Sequence, residues 1–280
     1  MSASGRPADI RASLLAAIVA AAVARAVGSA DPLVSRRVPA WTRTNYRGQS
    51  VTLTGGLSAA LGSLVGTAAG TRGATRRAAL LAVTAAAAAG AYDDVVAGRS
   101  ESPADKGLRG HLAALRAGRV SGGVVKVVVI GSAAALSAVI LTSGSGRRRV
   151  LRVGLRALVI AESANMINLL DLRPGRAGKV VAAASVGLLG GPSGGLAAAG
   201  LGATGAVLPD DLCERTMLGD CGANALGALL GVQLAAAGDL PLPTATVLGL
   251  LTLASERWSF NAVIDSCRPL RAIDRLGRRA

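Results

Sequence analysis

The sequence is dominated by apolar segments of about 15–20 residues, separated by short segments that hold nearly every charge. Because a segment inside a bilayer must satisfy its backbone hydrogen bonds internally, we predict that each apolar segment is a helix. The chain is therefore predicted to be all-α, a polytopic membrane helix bundle of about nine transmembrane helices with cytoplasmic loops, forming one integral membrane domain over residues 1–280. The predicted spans are 10–28, 51–70, 76–92, 124–142, 150–168, 179–190, 194–209, 222–238 and 244–262.

The composition agrees with a membrane protein and argues against a nucleic-acid partner. Charged residues make up 17% of the chain, against roughly 25% in ordinary soluble domains. The formal net charge of +15 comes mostly from arginines in the short loops, where basic residues set topology and bind anionic lipids or phosphates. Aromatic residues, at 2%, are not interleaved with them as in RNA-binding surfaces. The many glycines and alanines of the spans would allow a homodimer.

Histidine and cysteine are too scarce for several common kinds of catalytic site. His111, the single histidine, is expected to face solvent or lipid headgroups. Cys213, Cys221 and Cys267 lack metal-ligand spacing and are too few for a disulfide framework. We therefore expect neither a zinc site nor a Ser-His-Asp triad. The apolar run near the N-terminus is interpreted as a retained first helix rather than a signal peptide.

The loops between the spans fall into two sets, and one set carries about twice as many lysines and arginines as the other. The positive-inside rule makes the richer set cytoplasmic in a multi-pass protein of the plasma (inner) membrane. A divalent metal beside a phosphorylated substrate would require both cations and carboxylates on this face, although solvated loops are an alternative explanation. Most of the aspartates lie in this set: Asp31, Asp93, Asp94, Asp105, Asp171, Asp210, Asp211, Asp220, Asp265 and Asp274.

Two cytoplasmic segments place polar groups where an apolar helix ends. Asp93 and Asp94 close the third span, where the helix dipole disfavours anions. Asn165, Asn168 and Asp171 recur every third residue around the end of the fifth span, so they share one helical face. Such amides and carboxylates are costly at the end of an apolar helix unless they have partners.

Two further segments are predicted to lie on the same side of the membrane. Asp220 lies in a Leu-Gly-Asp-Cys-Gly segment at the start of the eighth span, and is either an N-cap or part of a phosphate site at the helix N-terminus. The segment 41–48, which leads to Thr54-Gly55-Gly56, supplies hydroxyls and cations, among them Arg47.

Taken in order, these segments resemble the polyprenyl-phosphate N-acetylhexosamine-1-phosphate transferases of glycosyltransferase family 4. The matching elements are a basic loop ending in Thr-Gly-Gly, then Asp-Asp, then Asn-x-x-Asn-Leu-x-Asp, and finally Leu-Gly-Asp-x-Gly, across roughly residues 36–230. The family includes the phospho-N-acetylmuramoyl-pentapeptide transferase of peptidoglycan synthesis and related GlcNAc-1-phosphate transferases of cell-wall biogenesis.

The resemblance implies a Mg²⁺-dependent enzyme, with Mn²⁺ as an alternative ion. It would move a sugar-1-phosphate from a UDP-sugar to polyprenyl (undecaprenyl) phosphate and release UMP. Asp220 would be the principal metal ligand together with Asp171, and Asp93 and Asp94 would act beside the metal and the lipid phosphate. The resemblance also implies a set of substrate contacts: Asn165, Asn168, Asp171, Lys106 and Arg47.

The C-terminal tail departs from the family, whose members carry a histidine-rich cytoplasmic loop late in the chain. The tail here holds Asp265, Arg268 and Arg271 and no histidine. Either these charges replace the loop, or the protein is a catalytically degenerate relative. Two other classes remain, a structural membrane scaffold and a multi-span transporter. The transporter would use charges in or near the spans: Arg25, Lys126, Arg156, Glu162, Glu256 and Arg257.

Overall fold

The computed structural model describes residues 9–95, 116, 122–238 and 241–279. The protein is about 80% helical, which confirms the all-α prediction. A single 3₁₀ turn, Pro39–Trp41, precedes a two-stranded antiparallel hairpin of β1 (Thr42–Thr44) and β2 (Ser50–Thr52). The helices are α1 (Ile10–Gly28), α2 (Asp31–Arg37), α3 (Thr54–Gly70), α4 (Gly73–Val95), α5 (Gly122–Leu141), α6 (Gly146–Leu170), α7 (Arg176–Leu188), α8 (Gly194–Leu212), α9 (Gly219–Ala237), α10 (Leu242–Ser255), α11 (Phe260–Ser266) and α12 (Arg268–Arg275).

Four stretches of helix are long and apolar enough to cross a membrane: Ile10–Val34, α4, α5 and α6. This supports a membrane protein, but the structure does not show the nine spans that the sequence predicts. Helices α7 and α10 have 13 and 14 residues, and at 1.5 Å per residue each is shorter than the roughly 30 Å hydrocarbon core. Helices α8 and α9 have 19 residues each, but α8 has two aspartates in its last turn, α9 carries Asp220, Asn224 and Gln233, and both are rich in glycine.

Two predicted spans are wrong at their boundaries. Helix α3 begins only at Thr54, because residues 51 and 52 belong to β2 and pair with the segment before them. The hairpin turn is held by Asn45, whose Oδ1 accepts hydrogen bonds from the backbone amides of Arg47 and Gln49, each at 2.9 Å. The last predicted span, 244–262, is two helices, because α10 ends at Ser255 and α11 begins at Phe260.

Helix α9 forms the centre of the protein and is buried along most of its length. It packs against α3, α4, α5, α6, α7 and α8, and glycines bring it close to α3, α4 and α6. A Cβ placed on Gly227 would lie 2.6 Å from the Ser163 carbonyl oxygen and 2.7 Å from the Ala164 Cα. The backbones of α9 and α6 are therefore in direct contact, which is the packing that small residues allow between membrane helices.

We expect Gly227→Ala to destabilise the protein by about 1–3 kcal/mol, because its methyl group would force α9 away from α6. The matched control is Gly131→Ala on α5, where a Cβ would meet nothing within 4 Å. That control should be neutral or slightly stabilising, since alanine is the better helix former. The measurement is the midpoint of thermal unfolding in detergent micelles, and equal midpoints for the two variants would contradict the packing described here.

Candidate active site

The C-terminal end of α4 meets the N-terminal end of α9, and Asp94 joins the two. The backbone amides of Asp220 and Cys221 donate hydrogen bonds to the Asp94 carboxylate, to Oδ1 at 3.2 Å and to Oδ2 at 2.9 Å. The first amides of a helix have no partner within the helix and carry its positive dipole end. Asp94, only 8% exposed, therefore caps α9 from another helix. This explains why a carboxylate lies at the C-terminal end of α4, where its own helix dipole opposes it.

Glycines allow the segment before α9 to approach α3 and α4 closely. A Cβ on Gly90 of α4 would lie 2.1 Å from the Asp220 carbonyl oxygen, and a Cβ on Gly56 of α3 would lie 2.0 Å from the Leu218 carbonyl oxygen. Gly219 begins α9 with φ of +58°, a left-handed conformation that favours glycine. The glycines of the Thr-Gly-Gly and Leu-Gly-Asp motifs thus have a packing role in this fold.

Asp220 lies in the first turn of α9, after the N-cap residue Leu218. The interpretation of Asp220 as the N-cap is therefore wrong, because Asp94 does the capping. This frees the Asp220 side chain to point at other groups. Its backbone carbonyl accepts a hydrogen bond of 2.7 Å from Asn224 Nδ2, one turn further along the helix.

Lys126 of α5 joins Asp93 and Asp220. Its Nζ lies 2.8 Å from Asp93 Oδ2 and 2.5 Å from Asp220 Oδ2, and all three side chains are largely buried. From the sequence, Lys126 was predicted only as a charge for a transport path and was missed as a site residue. A signal was present, because a lysine five residues into an apolar helix requires a carboxylate partner.

Asp171 lies directly after the C-terminal end of α6, next to a second carboxylate, Asp211 of α8. Burial, followed by the charges of Asp211, Asp220 and Asp94, raises the pKa of Asp171 well above its usual value. Burial likewise raises the pKa of Asp211 to about 6, although Asp211 Oδ2 accepts a hydrogen bond of 2.9 Å from the Gly175 amide. Negative charge is thus concentrated between α6, α8 and α9, and a bound cation would relieve it.

The other predicted substrate contacts that the structure describes do not join this cluster. Asn165 donates a hydrogen bond of 3.2 Å to Thr252 of α10, so its amide serves helix packing. Asn168 is half-buried, and its side chain makes no hydrogen bond to a described residue. Arg47 lies in the hairpin turn and pairs with Glu214 at 3.1 Å. Lys106, like His111, lies outside the described residues.

Among the described residues, three of the transport candidates have separate local partners. Arg25 pairs with Asp210 at 3.7 Å. Arg156 donates a hydrogen bond of 2.6 Å to the carbonyl of Leu141, at the C-terminal end of α5. Glu162 accepts a hydrogen bond from Thr252. Each of these side chains has its own local partner, and the three lie in separate parts of the bundle.

The described part of the chain contains no group of three or more histidine, cysteine, aspartate or glutamate side chains arranged to hold a metal ion. Magnesium in phosphoryl-transfer sites is commonly held by one or two carboxylates together with substrate phosphates. The oxygens of Asp93 and Asp220 that converge on the Lys126 ammonium fit such a set of donors. The assignment of Asp220 and Asp171 as joint metal ligands stays a prediction.

The sequence matches no protein-family model, and no curated protein matches it. The resemblance to the sugar-1-phosphate transferases therefore rests on the four motifs themselves. Three of the four, in α3, α4 and the start of α9, meet at one place in the fold.

We expect Asp94→Ala to destabilise the protein by about 1–2 kcal/mol, because it leaves the amides at the start of α9 without an acceptor. Asparagine has the same shape as aspartate and keeps one acceptor oxygen, so Asp94→Asn should destabilise the protein clearly less than Asp94→Ala. Thermal unfolding of both variants in detergent micelles measures this difference. If Asp94→Ala unfolded at the wild-type temperature, the capping role would be wrong.

Proposed function

We propose that this protein transfers a sugar-1-phosphate of the N-acetylhexosamine type from a UDP-sugar to polyprenyl phosphate, with release of UMP, on the cytoplasmic face of the plasma membrane. The observation that carries the proposal is the meeting of Asp93 and Asp94 of α4, Lys126 of α5 and Asp220 of α9. These residues come from distant parts of the sequence. The three aspartates belong to the motifs that resemble the family, whereas Lys126 lies outside them.

The reaction brings two phosphate-bearing anions together, so it requires alignment and charge neutralisation more than covalent catalysis. An oxygen of the lipid phosphate would form a bond to the phosphorus that carries the sugar. The bond from that phosphorus to the bridging oxygen would break, and UMP would leave with the electron pair. Lys126 is placed to offset negative charge during this exchange.

Magnesium would supply further charge neutralisation on the phosphates when bound. We propose that Asp220 and Asp93 would hold it, with Asp171 as a further ligand. Asp94 has a different role in this proposal, because both of its oxygens accept backbone hydrogen bonds from the start of α9. It is a positioning residue that fixes the first turn of α9, from which Asp220 projects.

A catalytically degenerate relative is the second candidate. The observation that favours it is the Lys126 ammonium, which already compensates the two carboxylates that would otherwise call for a metal ion. Such a protein would bind UDP-sugar or lipid phosphate without transferring the sugar-1-phosphate. It would fold in the same way.

We expect Asp220→Asn to lower Mg²⁺-dependent UMP release by on the order of 100-fold or more, because it removes charge from the proposed metal site. The assay uses purified protein, undecaprenyl phosphate and a panel of UDP-sugars. Asp9→Asn is the matched control, since Asp9 caps α1 at the N-terminus and asparagine is an equally good cap. That control should keep wild-type turnover.

Two outcomes would count against the transferase proposal. Equal turnover of wild type and Asp220→Asn would remove the metal assignment. UDP-sugar binding by the wild type without UMP release from any member of the panel would favour the degenerate relative.

A further inference from the structure

The C-terminal segment forms an arginine-rich pocket of about 500 Å³ that the proposed reaction does not use. Six arginines line it, against two aspartates, Asp265 and Asp274. Tyr46 from the hairpin turn forms part of the wall, and the guanidinium of Arg173 lies 4.4 Å from the centroid of its ring. The six arginines are Arg47, Arg173, Arg271, Arg275, Arg278 and Arg279.

Helix α12 forms one side of this pocket and is firmly attached to α7. Asp274, only 7% exposed, accepts hydrogen bonds from Arg176 Nε at 2.7 Å and from Arg278. Lys179 donates to the carbonyls of Ile273, Asp274 and Leu276 at the C-terminal end of α12, where a cation is favoured. The orientation of α12 about its own axis is therefore fixed.

With that orientation, charged residues of α12 line the pocket and its apolar face is exposed. Arg271 and Arg275, one turn apart, line the pocket together with Asp274. On the opposite face, Leu270 is 43% exposed and Ile273 is 60% exposed, and Leu276 directly after the helix is 69% exposed. A helix with separate cationic and apolar faces is typical of segments that lie in a membrane interface.

The pocket has more positive charge than its own carboxylates offset. Asp274 is occupied by Arg176 and Arg278, and Arg47 pairs with Glu214. Arg173, Arg271 and Arg275 form no ion pair with any residue that the structure describes. Crowded guanidinium groups of this kind are a typical site for phosphate, which they bind through paired hydrogen bonds.

We propose that α12 lies in the membrane interface and that the arginine-rich pocket binds the phosphate of an anionic phospholipid. The apolar residues Leu270 and Ile273 would contact the upper acyl region, while Arg271 and Arg275 bind the headgroup phosphate. The exposed apolar face favours a lipid over a soluble phosphate, because a soluble ligand would leave that face in water. The proposal does not depend on the transferase activity.

The test compares lipids added to the purified protein in neutral detergent. Dioleoylphosphatidylglycerol should raise the midpoint of thermal unfolding by about 4 °C more than dioleoylphosphatidylcholine. The double variant Arg271→Gln/Arg275→Gln should lose most of that difference. The control Arg147→Gln/Arg148→Gln, which changes two exposed arginines at the start of α6, should keep it.

Three results in this experiment would overturn the proposal. The first is an equal shift from the two lipids, and the second is a full phosphatidylglycerol shift in Arg271→Gln/Arg275→Gln. The third is an equal shift from glycerol 1-phosphate at the same concentration, which would show that the pocket takes a soluble phosphate.

A second measurement addresses the apolar face and does not depend on the arginine variants. Leu270→Trp is placed in a protein whose Trp41 and Trp258 are replaced by phenylalanine, and the protein is reconstituted in phosphatidylglycerol vesicles. Lipids brominated near the top of the acyl chain should quench the tryptophan strongly, because interfacial helices lie about 5–10 Å into the boundary. Failure of brominated lipids to quench it would place α12 outside the membrane and overturn the proposal.

Discussion

The arrangement of this protein depends on the close contact between the end of α4 and the beginning of α9. Asp94 accepts hydrogen bonds from the first amides of α9, and the absence of a side chain at Gly90 lets the two backbones touch. Buried amides at a helix end are costly without an acceptor, so this contact satisfies a requirement of α9 itself. It also fixes the helix turn from which Asp220 projects toward Lys126.

A buried lysine between two carboxylates links the electrostatics of the fold to the proposed chemistry. Removing one partner of such a group leaves an uncompensated charge, which is strongly destabilising. Lys126, Asp93 and Asp220 are therefore structurally dependent on one another. This cluster of charged side chains suits a site that binds phosphate groups. Asp171 and Asp211 extend the acidic part of the cluster toward the hairpin. The basic C-terminal pocket lies beyond the hairpin turn, so acidic and basic regions share one end of the molecule.

The positions of the helices could be predicted from the sequence better than the contacts of individual side chains. Long apolar segments specify helix by themselves, because no other structure satisfies the backbone in a bilayer. The hairpin at Thr42–Thr52 and the break between α10 and α11 were missed, since each depends on contacts with distant residues or on a few polar positions. Asp93, Asp94 and Asp220 lie close together in the fold, as the resemblance in motif order led us to expect. The partners of Lys126 and the use of Asn165 in packing could not be read from spacing, because both are decided by which helices become neighbours.

The most direct test of the contact between α5 and α9 is a double-mutant cycle for stability between Lys126→Gln and Asp220→Asn. Thermal unfolding of the wild type, both single variants and the double variant gives the coupling between the two side chains. We predict that the double variant is more stable than the sum of the single losses implies, by about 0.5–3 kcal/mol, because each single change takes one partner from the other buried charge while Asp93 stays in every variant. Strictly additive losses would show that α5 and α9 do not meet through these residues, and would contradict the site on which the proposed function rests.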